Sequence, residues 1–97
     1  MRTDPIQHEI AQDKAAGLGR TEKRLVAALE AYRRQADDES GTGGARGERV
    51  TWELVDSLTS FVIQREACGL RDARHVFDFY RVPREAIARI GIRRPRA

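Results

Sequence analysis

The sequence predicts an all-α protein of four helices: one long N-terminal helix, one central helix and a short C-terminal hairpin similar to a helix-turn-helix. Three observations lead to this fold class. Apolar residues recur at helical spacing, glycine and proline mark the boundaries, and the one β-like run, residues 61–63, lies inside a longer helical period. A chain of 97 residues is long enough for one domain, residues 1–97.

The first helix is predicted from about Pro5 to Ala36. Asp4 can accept hydrogen bonds from the free amides of the first turn, and proline at the first helical position loses no hydrogen bond. Gly17 and Gly19 interrupt the apolar stripe, and each costs about 1 kcal/mol relative to alanine inside a helix. We therefore expect one long helix, with a bend or a closely crossing neighbour at the glycines. The stripe consists of Ile6, Ile10, Leu18, Leu25, Leu29, Tyr32 and Ala36.

A polar, glycine-rich segment, residues 37–48, follows the first helix. It holds four glycines and no apolar residue beyond Ala45, so burial cannot offset the entropy of ordering it. We predict a flexible connector. A phosphate-binding loop is disfavoured, because that motif needs a preceding strand and a lysine followed by serine or threonine, and the segment has neither.

The central helix is predicted from Val50 to Ala67, with a broad apolar arc and a second apolar stripe outside it. A helix with two apolar faces is either central in its bundle or buried against another subunit. We take the second stripe as a candidate oligomer interface. The arc contains Val50, Leu54, Val55, Leu58, Phe61 and Val62, and the second stripe contains Trp52, Thr59 and Ile63.

Glycine and proline delimit two short helices at the C-terminal end. Gly69 is predicted to end the central helix in the left-handed conformation, with Leu70 as the apolar partner of that cap. Asp72 starts the third helix, and Pro83 forces Val82 out of helical geometry before the fourth. The third helix buries Ala73, Val76, Phe77 and Tyr80; the fourth buries Ala86, Ile87 and Ile90 and ends at Gly91; residues 92–97 form a frayed basic tail.

Charge is distributed unevenly along the chain. The net charge is +3, yet residues 71–97 hold eight arginines against three acidic residues. Such a basic end can meet phosphates or an acidic protein partner. Because arginine far outnumbers lysine, as in proteins encoded by GC-rich genomes, we favour ordinary solvated surface. The alternative hypothesis is nucleic-acid contact through Arg84, Arg89, Arg93, Arg94 and Arg96.

The C-terminal hairpin departs from the helix-turn-helix pattern at two positions. Val82 lies at the turn, and residues 80–85 are similar to the turns of such proteins. Arg81, however, stands where glycine usually permits the turn, and Phe77 stands where a small residue lets the helices approach. A plain helical hairpin packed on the core is therefore favoured.

No convergent set of catalytic or metal-binding residues is evident. His8 has no second histidine at helical spacing, so we expect it to be solvated. His75 lies three residues from both Asp72 and Asp78, but two carboxylates and one imidazole make a poor metal site without further ligands. We expect no enzyme activity, no metal and no cofactor.

Two further residues lie near the end of the central helix. Cys68 meets the negative end of the helix dipole, which disfavours a reactive thiolate, so a buried structural thiol is predicted. Arg65 lies in the main apolar arc, where its stem can pack while the guanidinium forms an ion pair within the chain or across an interface.

The small size of the foldable part favours assembly. About 75 residues remain outside the N-terminal tip, the connector and the tail, which is marginal for one core, so we expect a homo-oligomer, with a dimer favoured. A single cysteine excludes an internal disulfide, and no apolar run approaches the roughly 20 residues that span a bilayer. Without a signal peptide either, we expect a cytoplasmic protein with no membrane partner.

Four segments carry a resemblance to known sequences: DPIQHEIAQDKA, LGRTEKRL, QREACGLRD and VPREAIARIG. Together they resemble an uncharacterised family of short all-helical bacterial proteins with no assigned activity. The resemblance covers nearly the whole chain outside the glycine-rich segment, and it transfers no catalytic or binding residue. The sequence thus predicts a non-catalytic interaction or self-assembly module, with a nucleic-acid-binding accessory protein as the alternative.

Overall fold

The computed structural model of the chain describes residues 5–95, which form four helices and no strand. Helix α1 spans Pro5–Ala36, α2 spans Ala45–Ala67, α3 spans Ala73–Phe79 and α4 spans Arg84–Ala88. The predicted all-α class, with one long, one central and two short helices, is confirmed. Asp4, the predicted first cap, lies outside the described residues.

Helix α1 is continuous across both of its glycines, with the predicted bounds. Gly17 is buried where α2 crosses, and a Cβ added there would lie 2.8 Å from Nε2 of Gln64. The same amide nitrogen donates to the Lys14 carbonyl at 3.3 Å. Gly19 faces open space instead. The end of the Gln64 side chain therefore occupies the space beside Gly17, whereas the space beside Gly19 is open.

Helices α1 and α2 form an antiparallel hairpin, and α3 and α4 pack across it. Near the middle of the hairpin, Arg24 Nη1 donates to the Ser60 hydroxyl at 3.2 Å. Each large apolar side chain buried between the helices contributes roughly 1.5–3 kcal/mol relative to an exposed position. The core consists of Leu25, Leu29, Trp52, Leu54, Val55, Leu58, Phe61, Val76, Val82 and Ala86.

The turn between α1 and α2 is shorter than predicted. Helix α2 begins at Ala45, so the last four residues of the predicted connector are helical. The turn packs directly on the first turn of α2: a Cβ added to Gly47 would lie 2.3 Å from the backbone carbonyl of Thr42. Gln35 Nε2 donates to the Gly41 carbonyl at 2.8 Å. The turn thus contacts both helices, and α2 extends toward the glycines. Amino-acid composition alone does not predict these contacts. The predicted flexibility of the turn stays a prediction.

The end of α2 has the predicted left-handed glycine cap. Gly69 has φ +85°, its amide donates to the Glu66 carbonyl, and the Leu70 amide donates to the Arg65 carbonyl, both at 2.9 Å. This pair of bonds is the Schellman motif. Leu70 remains 46% exposed, so it covers the cap only in part.

Helix α3 begins at the predicted cap and ends in the same motif without a glycine. The Asp72 carboxylate accepts from the Arg74 amide at 3.1 Å. At the other end Arg81 adopts φ +51°, and the Val82 amide donates to the Phe77 carbonyl at 3.0 Å. A left-handed residue with a Cβ costs roughly 1–2 kcal/mol. The chain therefore keeps the tight corner at an energetic cost.

The C-terminal segment is attached to α2. Helix α4 ends at Ala88, earlier than predicted, and the chain leaves it through Gly91 at φ +83°. Arg94 Nη1 lies 3.2 Å from both a carboxylate oxygen of Glu53 and one of Asp56. Residues 93–95 have no regular structure, but the Arg94 side chain is held on α2 rather than frayed.

Among the described residues, no helix combines the length and apolar character that crossing a bilayer requires.

Candidate functional site

The junction of α1, α2 and α3 contains a small pocket in which aromatic and charged side chains meet. Its volume is about 160 Å³. Helix α1 contributes one carboxylate, α2 contributes a ring and a guanidinium, and α3 contributes the remaining wall. The pocket is lined by Glu22, Phe61, Arg65, His75, Val76, Phe79 and Tyr80.

Three aromatic rings form the apolar wall of the pocket. Tyr80 packs edge-to-face against Phe61, with ring centroids 5.9 Å apart, and against Phe79, with centroids 4.9 Å apart. Phe61 is buried in the core, whereas Phe79 is 71% exposed at the rim. Phe79 thus lies against the rings of Tyr80 and His75, and most of its surface is exposed to solvent.

Tyr80 is fixed at both its hydroxyl and its carbonyl. The hydroxyl donates to a Glu22 carboxylate oxygen on α1. Arg33 Nη2, also on α1, donates to the Tyr80 carbonyl at 2.8 Å. Burial, followed by the hydrogen bond to Glu22, raises the pKa of Tyr80 to about 12. The Tyr80 hydroxyl therefore serves to anchor α3 on α1 and keeps its proton at neutral pH.

Arg65 lies against an aromatic ring rather than beside an acidic side chain of residues 5–95. Its guanidinium lies over the Phe61 ring, 5.9 Å from the centroid. None of the ion pairs among residues 5–95 involves Arg65. The guanidinium is therefore a half-buried cation whose donors face a pocket.

The size of the pocket limits what it can hold. Sites for small-molecule ligands usually measure roughly 300–1,000 Å³. At about 160 Å³, this pocket fits a single ring or one side chain of another protein. The pocket combines an apolar wall, one carboxylate and one guanidinium that has no ion pair among residues 5–95. Aromatic and arginine side chains are enriched at the energetic centres of protein interfaces.

The three residues of the predicted oligomer interface differ in how far they are exposed in the folded chain. Trp52 is only 8% exposed and lies in the core, so its predicted place on a stripe outside the core is wrong. Its ring is covered by the Arg89 guanidinium, 4.9 Å from the centroid. Thr59 is half-buried and donates to the Val55 carbonyl, whereas Ile63 is 59% exposed. The α3–α4 hairpin, which a helical wheel of α2 cannot show, covers Trp52.

The arginines proposed to contact nucleic acid are divided between two roles. Arg89 makes a two-pronged contact with Glu48, at 3.0 and 3.2 Å, and Arg94 pairs with two acids of α2. The hydrogen bond from Arg89 lowers the pKa of Glu48. Arg84 and Arg93 are exposed on the surface. Arg96 lies outside the described residues.

The residues considered for catalysis or metal binding stay apart. His8 is exposed and bonds to Gln12, 3.1 Å away. His75 lies beside the Phe79 ring, and Asp72 is used as the α3 cap. Among residues 5–95, no three histidine, cysteine or acidic side chains are grouped as metal ligands would be. His75 and Arg65 share the pocket, but Cys68 lies elsewhere.

Cys68 lies in a groove at the open end of the α1–α2 hairpin. The groove measures about 330 Å³. The sulfur lies 3.8 Å from the Lys14 carbonyl, and the side chain is half-buried rather than buried as predicted. The groove is lined by Ala11, Lys14, Ala15, Leu18, Ala67 and Cys68.

Comparison with known protein families places the chain in one of them. A family model described as "Family of unknown function (DUF6665)" matches residues 1–96. The chain belongs to DUF6665. The predicted membership of an uncharacterised family is thereby confirmed. No curated protein and no solved structure gives a significant match to the chain.

For this DUF6665 chain, the sequence pattern singles out Arg65 and His75 but does not indicate that they share a pocket with Glu22 and Phe79. Glu22 is 43 positions from Arg65 in the sequence, so only the folded hairpin brings them together. Phe79 did leave a signal. It stands off the buried stripe of α3, and a large aromatic residue outside a helix's buried stripe indicates a contact beyond the core.

Proposed function

We propose that this DUF6665 protein is a non-catalytic interaction module of the cytoplasm that assembles with itself, with a dimer favoured. The observation that carries the proposal is the 71% exposure of Phe79 beside an aromatic-walled pocket. A single exposed apolar residue is common on protein surfaces. An exposed aromatic side chain beside a pocket large enough for such a ring is characteristic of protein interfaces.

The modest size of the core supports the same proposal. Only ten apolar residues of the described part are fully packed in the core cluster, and α4 has five residues. Small domains commonly gain stability from oligomerisation. Binding of a second copy to the folded state alone would add to stability in a concentration-dependent way.

Light scattering over a series of protein concentrations tests this function. We expect the average mass to rise from one chain toward two as the concentration increases through the micromolar range. The thermal midpoint should rise over the same series, because association stabilises the folded state. A constant single-chain mass at every concentration would overturn self-assembly.

The nucleic-acid alternative has weaker support in this fold. Two of its five proposed arginines, Arg89 and Arg94, are engaged with acids on α2. Arg84 and Arg93 remain available in the described part, and the excess of arginine after residue 70 still favours anions. A gel-shift titration with duplex DNA at near-physiological salt tests this alternative. A dissociation constant weaker than about 10⁻⁴ M would exclude it.

A further inference from the structure

The surface around the α1–α2–α3 pocket is complementary to itself. It presents a projecting ring, Phe79, and beside it a recess of about 160 Å³. A cavity of roughly 150 Å³ is known to accept a benzene ring. A phenyl group of one copy is therefore matched in size to the recess of another.

The charges of the same surface are also complementary to each other. Arg65 is a half-buried guanidinium with no ion-pair partner among residues 5–95. Glu22 lines the same pocket, and a tyrosine hydroxyl is its partner in the described hydrogen bonds. A carboxylate and a guanidinium form the strongest class of protein hydrogen bonds. The pocket thus offers one acid and one base to an incoming copy.

A twofold axis satisfies both kinds of complementarity at once. In a two-fold interface each contact occurs twice, because the same surface is used by both subunits. Each copy then inserts its Phe79 ring into the pocket of the other. Each Arg65 faces the Glu22 carboxylate of the partner subunit. No second, complementary surface is needed.

We infer that two copies of this chain associate through the α1–α2–α3 pocket, each placing Phe79 in the pocket of the other and pairing its Arg65 with Glu22 of the partner subunit. This inference rests on the proposed self-assembly and names the surface responsible. The occupant of the pocket is a second copy, not a small molecule.

The extent of the surface sets the expected affinity. Val26 is 38% exposed one helical turn beyond Glu22, so the apolar surface continues along α1. Even so, the pocket and its rim comprise fewer residues than the roughly 20–30 per side of standard interfaces. We expect a dimer that dissociates in the micromolar range.

A charge-swap experiment tests the surface directly. The variants Arg65→Glu and Glu22→Arg each place like charges opposite one another twice in a homodimer, so each alone should be monomeric. Mixing the two variants restores both opposite-charge contacts, and the mixture should form a heterodimer of wild-type mass. Sedimentation velocity measures both results, and circular dichroism verifies that each variant is helical.

A second pair of variants separates this surface from the rest of the molecule. Phe79→Ala should raise the dimer dissociation constant at least tenfold, whereas Ile63→Ala should leave it unchanged. Ile63 is exposed to a similar extent as Phe79. It is two residues from both Phe61 and Arg65, which is about 200° around α2, so it lies on the side of α2 opposite the pocket. Glu22→Gln retains an acceptor for Tyr80 and tests the charge alone.

The outcomes distinguish the two proposals. A wild-type chain that is monomeric at all concentrations overturns self-assembly and this surface together. A wild-type dimer that persists in Phe79→Ala and in both charge variants overturns this surface and leaves self-assembly standing. A dimer that dissociates in Ile63→Ala instead would place the interface on the far side of α2.

Discussion

The two ends of the α1–α2 hairpin are built in opposite ways. At the turn, the backbone of Thr42 contacts α2 so closely that Gly47 has no room for a Cβ, and Arg89 closes over Trp52 while pairing with Glu48. At the other end, α1 continues past α2, and residues 5–16 are all exposed. The glycine-rich end of the hairpin is therefore tightly packed, whereas the end formed by the regular N-terminal part of α1 is exposed to solvent.

This difference shows that regularity in sequence and packing in the fold are separate properties. The apolar stripe of α1 runs from Ile6 to Ala36, but Ile10 is 49% exposed while Leu29 is 2% exposed. The same pattern of residues is covered or open depending on where α2 ends. Composition predicts which residues favour helix, and only the partner helix determines which of them are buried.

The largest expected effect is at the packed end. Gly47→Ala places a Cβ about 2.3 Å from backbone atoms of Thr42, which no side-chain rotation can relieve. Because the turn or the first turn of α2 must move, we expect a loss of roughly 2–3 kcal/mol in the free energy of unfolding. Urea denaturation followed by circular dichroism measures it.

Gly43→Ala is the matched control for this prediction. It lies in the same turn and faces open space, so its stability should stay within about 0.5 kcal/mol of the wild type. If Gly47→Ala were as stable as Gly43→Ala, the turn would not be packed on α2, and the contrast between the two ends would disappear.

Much of the fold could be predicted from the sequence because its signals are local. Gly69 and Asp72 mark helix ends through hydrogen bonds to residues a few positions away, whereas Pro5 suits a first helical position because it has no amide hydrogen to satisfy. Helix α1 begins at Pro5, α2 ends two residues before Gly69, and α3 begins directly after Asp72. The start of α2 was predicted five residues late, because Gly47 reads as a helix breaker unless its contact with Thr42 is known.

The candidate site could be predicted only in fragments. Arg65 is unusual in the sequence because a charged residue occupies an apolar arc. Its neighbours could not be assigned, since the pocket joins three helices and Glu22 reaches it from the far side of a hairpin. The sequence predicts Trp52 outside the core for the same reason: helical spacing gives a residue's direction on α2 but not which later helix covers it.

Alkaline pH gives a second test at the packed end, with a smaller expected effect. Burial, then the hydrogen bond to Glu85, raises the pKa of Tyr32 to about 12 from about 10 in the unfolded chain. The unfolded state therefore releases its proton first, and the stabilisation present below pH 10 is lost as the pH rises from 10 to 12. Because Tyr32 is partly exposed, we expect about 1 kcal/mol from this residue.

The two tyrosines of the chain can be separated by substitution. In Tyr80→Phe only Tyr32 remains, and the absorbance of its tyrosinate should titrate near pH 12. In Tyr32→Phe the loss of stability between pH 10 and 12 should be reduced, since only Tyr80 still contributes. Titration of either remaining tyrosine near pH 10 would show that its hydroxyl is neither buried nor bonded to its carboxylate partner in solution.

The smallest expected effect is a gain of stability on α1 beyond the packed end. Gly19 lies inside α1 with no neighbouring atom within 4 Å of an added Cβ, so alanine there meets no obstacle. Gly19→Ala should raise the free energy of unfolding by about 0.5–1 kcal/mol, because alanine loses less conformational entropy in a helix interior. Gly17→Ala gains the same helix propensity but must displace the end of the Gln64 side chain, which is 2.8 Å away, and should gain less. Thermal unfolding of the two variants in parallel measures the difference. A loss of stability in Gly19→Ala would mean that this face of α1 is covered in solution, and the open end would then be a contact surface rather than a free helix.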